Sequence, residues 1–208
     1  MVTPFCLRAQ AIPHYQGEVA ADQGQYIIAD EFPTELLPGC SWYCGGDVHG
    51  FVASSALPTY KGIDYSAERA HDFDISTAWV EGADGQGEGE YLKYSFDYVA
   101  HPTHPNDPPA DGLGITELIL VNGYAKSERL WQLNSRVKNL RIYLNDAPYA
   151  DVTLVDTAEV QLVPIGTIMF KDHGGQLTLR FEITATYPGT KYADKAISEL
   201  VFGGVGVH

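Results

Sequence analysis

Three oxygen-bearing side chains lie close together in the stretch DFDIST, where Asp72, Asp74 and Thr77 fall within one short segment. Oxygen ligands at this spacing suit a hard cation, because calcium binds about six to eight oxygen atoms. The alternative is an Asx-type turn, in which the two aspartates accept hydrogen bonds from backbone N–H groups. The sequence leaves both interpretations open. Glu199 raises a related question, because a glutamate in the apolar stretch AISELVF is costly to bury without a partner.

A second group of carboxylates surrounds the glycine-rich stretch ADGQGEGE at residues 83–90. Two carboxylates that face each other across a cleft could act as general acid and base in glycoside hydrolysis. Glycines make a loop adaptable, however, whereas a catalytic pair needs rigid placement, so the pattern favours a flexible acidic loop. The chain also lacks the G-x-S-x-G, HExxH and P-loop motifs. We therefore predict that it is not an enzyme, and we take Glu81 and Glu90 as candidate ligand contacts.

Polar and aromatic side chains recur in two further stretches, residues 122–138 and residues 187–194. Sugars are bound by such mixtures, in which a ring face stacks on CH groups and polar arms hold the hydroxyls. Amide and guanidinium groups add directed hydrogen bonds to hydroxyls or carboxylates. The candidate ligand contacts in these stretches are Asn122, Tyr124, Lys126, Asn134, Arg136, Tyr187, Lys191, Tyr192 and Asp194.

Alternating apolar and polar residues indicate the β-strands that must position these groups. The clearest case is residues 176–187, where the apolar side chains share one face and the polar side chains share the other. The apolar face consists of Leu177, Leu179, Phe181 and Ile183. Helix signals are few and glycine turns are frequent, which predicts an all-β fold, a sandwich or jelly roll.

The composition divides the chain into two parts. Residues 1–35 are mixed and are predicted to form an N-terminal arm or extra strand, which packs on the rest through Tyr26, Ile27 and Ile28. Residues 36–208 are predicted to form one β-sandwich. The proline-rich residues 100–114 are predicted to be a loop, because proline cannot donate to a strand ladder.

The charge balance limits the partners of this protein. Lysine and arginine number 13 against 27 aspartates and glutamates, which gives a formal net charge of −14. A protein that binds phosphate backbones needs the opposite balance, and an anionic membrane surface would repel this chain. We therefore expect no nucleic-acid partner. No apolar run approaches the ~20 residues of a membrane-spanning helix, and no signal peptide is visible.

Three stretches carry a family resemblance when they are taken together. They are residues 65–96 with TAWVEG, residues 118–144 with NGYAK, and residues 187–204 with YPGTKYADKAISE. In order and spacing the chain resembles the discoidin-like galactose-binding jelly roll over roughly residues 36–208. Within that superfamily it is most similar to the translocation-type domain of bacterial NAD glycohydrolases and to related bacterial surface proteins.

The resemblance implies a non-catalytic β-sandwich whose loops at one end bind a ligand, often a glycan or another cell-surface ligand. It does not imply NAD hydrolysis, which belongs to a separate domain. It implies a structural calcium at Asp72, Asp74 and Thr77, completed by Glu199 on the last strand, although Phe73 stands where many relatives have a smaller residue. It also implies export to the periplasm, the cell surface or the medium. The alternative function is a protein-interaction or translocation module of a larger exported bacterial protein.

Overall fold

The computed structural model describes most of the chain, in several segments. The described residues are 11–22, 27–30, 32–36, 42–44, 46–85, 87–99 and 112–206, with the main chain alone at 27–30, 32–36 and 44. Tyr26, residues 100–111 of the predicted loop and the side chains of Ile27 and Ile28 therefore lie outside the described residues. Among the described helices, none has the length and apolar character that a membrane crossing demands.

Strands dominate the described residues. In chain order they are β1 (His14–Gln16), β2 (Glu18–Val19), β3 (Ile27–Asp30), β4 (Phe32–Leu36), β5 (Gly50–Ala53), β6 (Trp79–Val80), β7 (Tyr91–Asp97), β8 (Gly114–Asn122), β9 (Ser135–Leu144), β10 (Ala147–Thr153), β11 (Val160–Met169), β12 (Gln176–Tyr187) and β13 (Lys195–Val205). The helical segments are short. They are α1 (Glu128–Leu133) and the 3-10 turns Trp42–Cys44, Ala67–Ala70 and Phe170–His173.

The strands form two packed halves that are joined at one point. One half contains β2, β11, β8 and β13 in spatial order, with β6 beside β13. The other contains β1, β10, β9, β12, β7 and β5. The halves meet where β13 runs parallel to β9, with Lys195 opposite Ser135. The predicted all-β sandwich, a jelly roll, is therefore confirmed.

The core between the two halves follows the two-residue period of the strands. In β12, Leu177, Leu179, Phe181 and Ile183 are buried and the residues between them are more exposed, which confirms the sequence prediction. Trp42 is 1% exposed, and its ring contacts Phe96, Phe170 and Phe202 at centroid separations of 6.1, 6.2 and 6.0 Å.

The described part of the N-terminal arm adds edge strands to both halves. β1 pairs in parallel with β10, and β2 pairs antiparallel with β11. Farther along, β3 and β4 pair only with each other among the described residues. The boundary predicted at residue 35 falls inside β4, which ends at Leu36.

Four connections gather at one end of the sandwich, which we call the loop end. They are residues 81–90, 123–134, 154–159 and 188–194. Backbone hydrogen bonds anchor two of them to the start of β13, since Glu81 N donates to Lys195 O at 3.0 Å and Gly123 N donates to Ala196 O at 3.1 Å. The candidate ligand contacts predicted from the sequence lie in these connections or at the strand ends next to them.

Candidate functional site

The connection 188–194 is held against the end of α1. Ser127 caps this helix by accepting a hydrogen bond from Leu130 N at 3.2 Å. At the other end, Asn134 Nδ2 donates to Leu130 O at 2.8 Å. Lys191 N and Tyr192 N then donate to Leu133 O at 3.1 and 2.8 Å. The predicted contact Asn134 is therefore a helix-terminating residue, whereas Lys191 and Tyr192 project outward from a fixed main chain.

Arg136 joins three parts of the loop end. Its Nε and Nη2 donate to the two carboxylate oxygens of Asp156 at 3.0 and 2.9 Å. Its Nη1 donates to the carbonyls of Asn134 and Pro188 at 3.1 and 3.2 Å. The guanidinium also lies 4.5 Å from the centre of the Trp131 ring. Arg136 is 7% exposed, so the structure places it beneath the loops that it positions.

Asn122 is fully buried, and its side-chain amide forms the pair of hydrogen bonds with β9 that a strand backbone would form. Its Nδ2 donates to Val137 O at 2.7 Å, and its Oδ1 accepts from Val137 N at 3.1 Å. Both polar atoms of the amide are thus engaged by the main chain of β9. Gly123 follows with a φ of 84°, and a Cβ there would lie 2.7 Å from the Trp131 ring. The Asn-Gly pair therefore shapes the start of the connection.

The acidic connection 81–90 is fastened by two of its carboxylates. Glu81 is fully buried, and its oxygens accept from Ala83 N at 2.8 Å and from Lys195 N at 3.3 Å. Glu90 accepts hydrogen bonds from the hydroxyls of Ser54 and Ser55. These two carboxylates hold the connection in place, whereas Asp84 and Glu88 are exposed.

A buried amine lies beside Glu81. Lys195 Nζ is 3.9 Å from Glu81 Oε1, and both side chains are fully buried. Among the residues that the structure describes, none forms a hydrogen bond with the ammonium nitrogen. Burial raises the pKa of Glu81 and lowers the pKa of Lys195. Gly87 covers the pair, and a Cβ at this position would lie 2.6 Å from Glu81 Oε1.

The remaining sequence candidates at the loop end differ in exposure. Tyr187 donates from its hydroxyl to Leu154 O at 3.0 Å. Tyr192 is 40% exposed, and Lys191 Nζ lies 4.8 Å from the centre of its ring. Asp194 is half-buried and accepts from Ser135 N through its carbonyl at 3.2 Å.

Two sequence candidates, Tyr124 and Lys126, line a cavity of about 330 Å³ that opens beside the loop end. The ammonium of Lys126 is exposed, and no acidic side chain in the described part of the chain pairs with it. Tyr124 is 6% exposed, and burial raises the pKa of its phenol. The other walls come from Gly62, Ile63, Asp64, Arg69, Ser76 and Thr77. Of these, the sequence singled out only Thr77, as a metal ligand.

Arg69 is held at one wall of this cavity, which we call the loop-end cavity. Its Nε donates to Asp64 Oδ2 at 2.9 Å, and its Nη1 donates to Asp72 Oδ2 at 3.0 Å. These contacts leave Nη2 for another acceptor and fix the plane of the guanidinium. Arg69 in turn holds the pKa of Asp64 below its usual value through a side-chain hydrogen bond.

A tight turn forms the outer rim of the loop-end cavity. Tyr60 and Ile63 exchange backbone hydrogen bonds of 3.0 and 2.9 Å across Lys61 and Gly62. Both central residues have positive φ, 51° and 81°, which is typical of a type I′ turn. The Tyr60 side chain is 62% exposed. Lys61 Nζ lies 5.2 Å from the centre of its ring, and an exposed aromatic ring of this kind can stack on the CH face of a sugar.

The proposed metal ligands partly converge. Asp72 Oδ1 accepts from Asp74 N at 3.1 Å, and Asp74 Oδ1 accepts from Ser76 N at 2.9 Å, so the Asx-type turns form. Thr77 Oγ1 lies 3.0 and 2.9 Å from the two oxygens of Asp72. Phe73 has a φ of 61°, a left-handed conformation in which a smaller residue would be less strained.

Glu199 lies against this turn from β13. It is fully buried, and the described part of the chain gives its carboxylate oxygens no hydrogen bond of normal geometry. Burial raises its pKa well above the usual value and the neighbouring Asp72 carboxylate raises it further, whereas the backbone N–H groups of Asp72 and Phe73 oppose this shift. Among the described residues, no group of three or more His, Cys, Asp or Glu side chains forms a metal site. Glu199 and Asp72 lie side by side with Thr77 Oγ1 next to Asp72, and these oxygen atoms are of the kind that calcium binds.

Comparisons with known proteins agree with this fold. A family model described as "NAD glycohydrolase translocation F5/8 type C domain" matches residues 42–203. No curated protein matches the chain.

Solved structures of ZmpB from Clostridium perfringens share the fold at low sequence identity. Its CBM32-1 and CBM32-2 domains align with a TM-score of 0.54 at 11% identity, over 95% of this chain and 42% of that one. The same domains in complex with GalNAc give 0.54 at 12% identity, over 95% and 41%. A structure that adds the M60 catalytic domain gives 0.56 at 11% identity, over 95% and 17%. This chain thus spans less than half the length of these structures.

Proposed function

The chain belongs to the NAD glycohydrolase translocation F5/8 type C domain family, and we propose that it is a non-catalytic module that binds carbohydrate at its loop end. The fold supports this proposal, because its neighbours among solved structures include CBM32 domains, one of them in complex with GalNAc. We further propose that it belongs to an exported bacterial protein, in which it binds a glycan or another cell-surface ligand.

The loop-end cavity is the observation that carries the proposal. It offers Lys126, a cation that no acidic side chain pairs with in the described part of the chain, and a guanidinium edge at Arg69. The turn that lines it with Gly62 and Ile63 also carries the exposed ring of Tyr60. Its volume of about 330 Å³ is near the lower end of the ~300–1,000 Å³ range of small-molecule sites, which suits one or two sugar rings.

A protein-interaction or translocation module is the second candidate. The description of the family favours it, and so does the exposed apolar surface of the rim, where Ile63 is 39% exposed beside Tyr60. A partner protein would use the rim as a hydrophobic contact and Lys126 as a rim charge.

A glycan array on the full chain tests the proposal, with Lys126→Ala and Tyr60→Ala as site variants and Lys171→Ala as the matched control. Lys171 is an exposed lysine in the turn Phe170–His173, away from the loop end. Carbohydrate binding predicts that the wild type and Lys171→Ala retain a glycan signal that both site variants reduce. An array without signal, or a signal that neither site variant changes, would overturn the proposal.

We also propose that calcium binds between Asp72, Thr77 and Glu199, with Asp74 contributing to the turn. The buried carboxylate of Glu199, which lies against the carboxylate of Asp72, supports this. When bound, calcium would neutralise the two facing carboxylates and fix the turn that carries Ser76 and Thr77 into the loop-end cavity.

A further inference from the structure

A second polar cavity lies on the outer face of the half that contains β9, β10 and β12. Its volume is about 290 Å³, and none of its lining residues lines the loop-end cavity. Leu140 and Ile142 of β9 are in the core, so the residues that alternate with them face outward. The cavity is lined by His14, Asn139, Arg141, Asp151, Val152 and Thr184. We call it the sheet-face cavity.

An irregularity in β12 forms one side of the sheet-face cavity. Ile183 pairs with Leu140 of β9, but the next paired residue, Ala185, lies opposite Asn139. Thr184 is therefore the extra residue of a β-bulge, and its side chain is exposed. Bulges are frequent beside functional sites, where they redirect a side chain.

The N-terminal arm forms the opposite side. β1 runs parallel to β10 and places His14 opposite Asp151. His14 Nε2 lies 3.1 Å from Thr153 Oγ1, which donates to Asn139 Oδ1 at 3.1 Å. The hydrogen bond from Thr153 to Asn139 Oδ1 thus fixes the orientation of the amide. The Nδ2 group of Asn139 has no partner elsewhere in the described chain.

The charges of the sheet-face cavity cancel within it. Arg141 Nε and Nη2 donate to the two oxygens of Asp151 at 2.8 and 3.0 Å. This bidentate pair holds the pKa of Asp151 below its usual value. A charged ligand would have to compete with the ion pair, whereas a neutral one can use the Nη1 donor and the remaining carboxylate lone pairs without separating the charges.

We propose that the sheet-face cavity is a second binding site, specific for one neutral, polyhydroxylated ring such as a hexose. Asn139 Nδ2 and Arg141 Nη1 supply donors, Asp151 supplies an acceptor, and the Thr184 hydroxyl can act as either. Neighbouring hydroxyls of a sugar need this alternation of donors and acceptors. The volume fits a single ring rather than an extended chain.

Two separate sites give the module a property that a single site cannot provide. The loop-end cavity and the sheet-face cavity share no lining residue, so one chain could engage two sugars at once. Engagement of one site raises the effective concentration of ligand at the other, and this increases avidity on a surface that carries many glycans.

An NMR titration of the ¹⁵N-labelled full chain tests the second site. The probes are galactose, glucose, N-acetylgalactosamine and mannose, with galacturonate as the charged counterpart of galactose. We expect saturable shifts at the Asn139 side-chain amide and at the Thr184 backbone amide with at least one neutral sugar, and weaker binding of galacturonate. Thr184→Val keeps the shape of the side chain and removes its hydroxyl, so it should weaken this binding about 2- to 10-fold, as expected for one hydrogen bond.

This experiment tests the two sites independently. Shifts of the Lys126 signal report binding in the loop-end cavity, and shifts of the Asn139 and Thr184 signals report binding in the sheet-face cavity. Thr184→Val should leave shifts at Lys126 unchanged. The second site is disproved if none of the neutral sugars gives saturable shifts at Asn139 and Thr184, whatever happens at Lys126. It is also disproved if Thr184→Val, with an otherwise unchanged spectrum, binds as tightly as the wild type.

Discussion

Replacement of Lys195 by methionine should destabilise the protein in a pH-dependent manner. The ammonium lies 3.9 Å from Glu81 Oε1 and both side chains are fully buried. At that distance and an effective dielectric constant of about 20, the attraction between unit charges is about 4 kcal/mol. The methionine variant keeps the volume of the side chain and leaves Glu81 as a buried carboxylate without its cation.

The protonation of Glu81 limits how much unfolding free energy the Lys195→Met variant loses, and it determines in which direction that loss changes with pH. Burial raises the pKa of Glu81 in the folded state, and Lys195 lowers it. The stability associated with a raised carboxyl pKa is complete below the unfolded pKa and is lost as the pH rises through the folded pKa. Without Lys195 the pKa of Glu81 in the folded state rises further, and more stability is lost at neutral pH. The variant can avoid an unpaired buried charge by protonating Glu81, which costs about 1.4 kcal/mol for each pH unit above ~4.3. The loss of unfolding free energy should therefore be at most about 4 kcal/mol at pH 7.

Urea unfolding of wild type and Lys195→Met between pH ~4 and ~8 measures this effect. Lys171→Met is the control, because Lys171 is exposed and its replacement should cost the same at every pH. We expect the cost of Lys195→Met to be smallest at the acid end of this range, where Glu81 is most protonated, and to grow toward neutral pH. A cost that does not change with pH would refute the interaction between the buried amine and Glu81.

Three further predictions concern the core, the calcium site and the loop end. Phe181 is 1% exposed, so Phe181→Ala should lower the free energy of unfolding by about 3–5 kcal/mol. The control Gln176→Ala, at an exposed position of the same strand, should change it little. Equal urea midpoints for Phe181→Ala and the wild type would place Phe181 outside the core. Calcium at ~100 times its dissociation constant should stabilise the wild type by about 2.7 kcal/mol and leave the stability of Glu199→Gln unchanged. Wild-type melting curves that neither calcium nor a chelator shifts would count against the site. Arg136→Lys removes the bidentate contact with Asp156 and should cost about 1–3 kcal/mol with faster amide exchange in residues 188–194, whereas unchanged exchange would show that Arg136 does not hold this connection.

Periodicity made much of the fold predictable from sequence. The face of β12 that contains Phe181 follows from strict alternation, because a strand with one wet face can bury only every second residue. The gathering of the connections at one end followed from the family resemblance, and the positions of Tyr124 and Lys126 at a cavity agree with it.

The roles of individual polar residues were harder to foresee, because they depend on partners distant in the chain. Glu81 meets Lys195 across 114 positions, and no local pattern signals such a pair. Asn122 was predicted to be a ligand contact, but its side chain forms hydrogen bonds with the main chain of β9, which requires β9 to lie beside it. For Arg69, the only sequence signal would have been its spacing from Asp64 and Asp72.

A structure of the protein bound to the best glycan from the array tests the central claim most directly. The account predicts a sugar in the loop-end cavity, with polar contacts to Arg69 and Lys126 and a ring face against Tyr60. A second sugar in the sheet-face cavity would be compatible with this result. A glycan bound elsewhere, with the loop-end cavity unoccupied at saturating ligand, would contradict it.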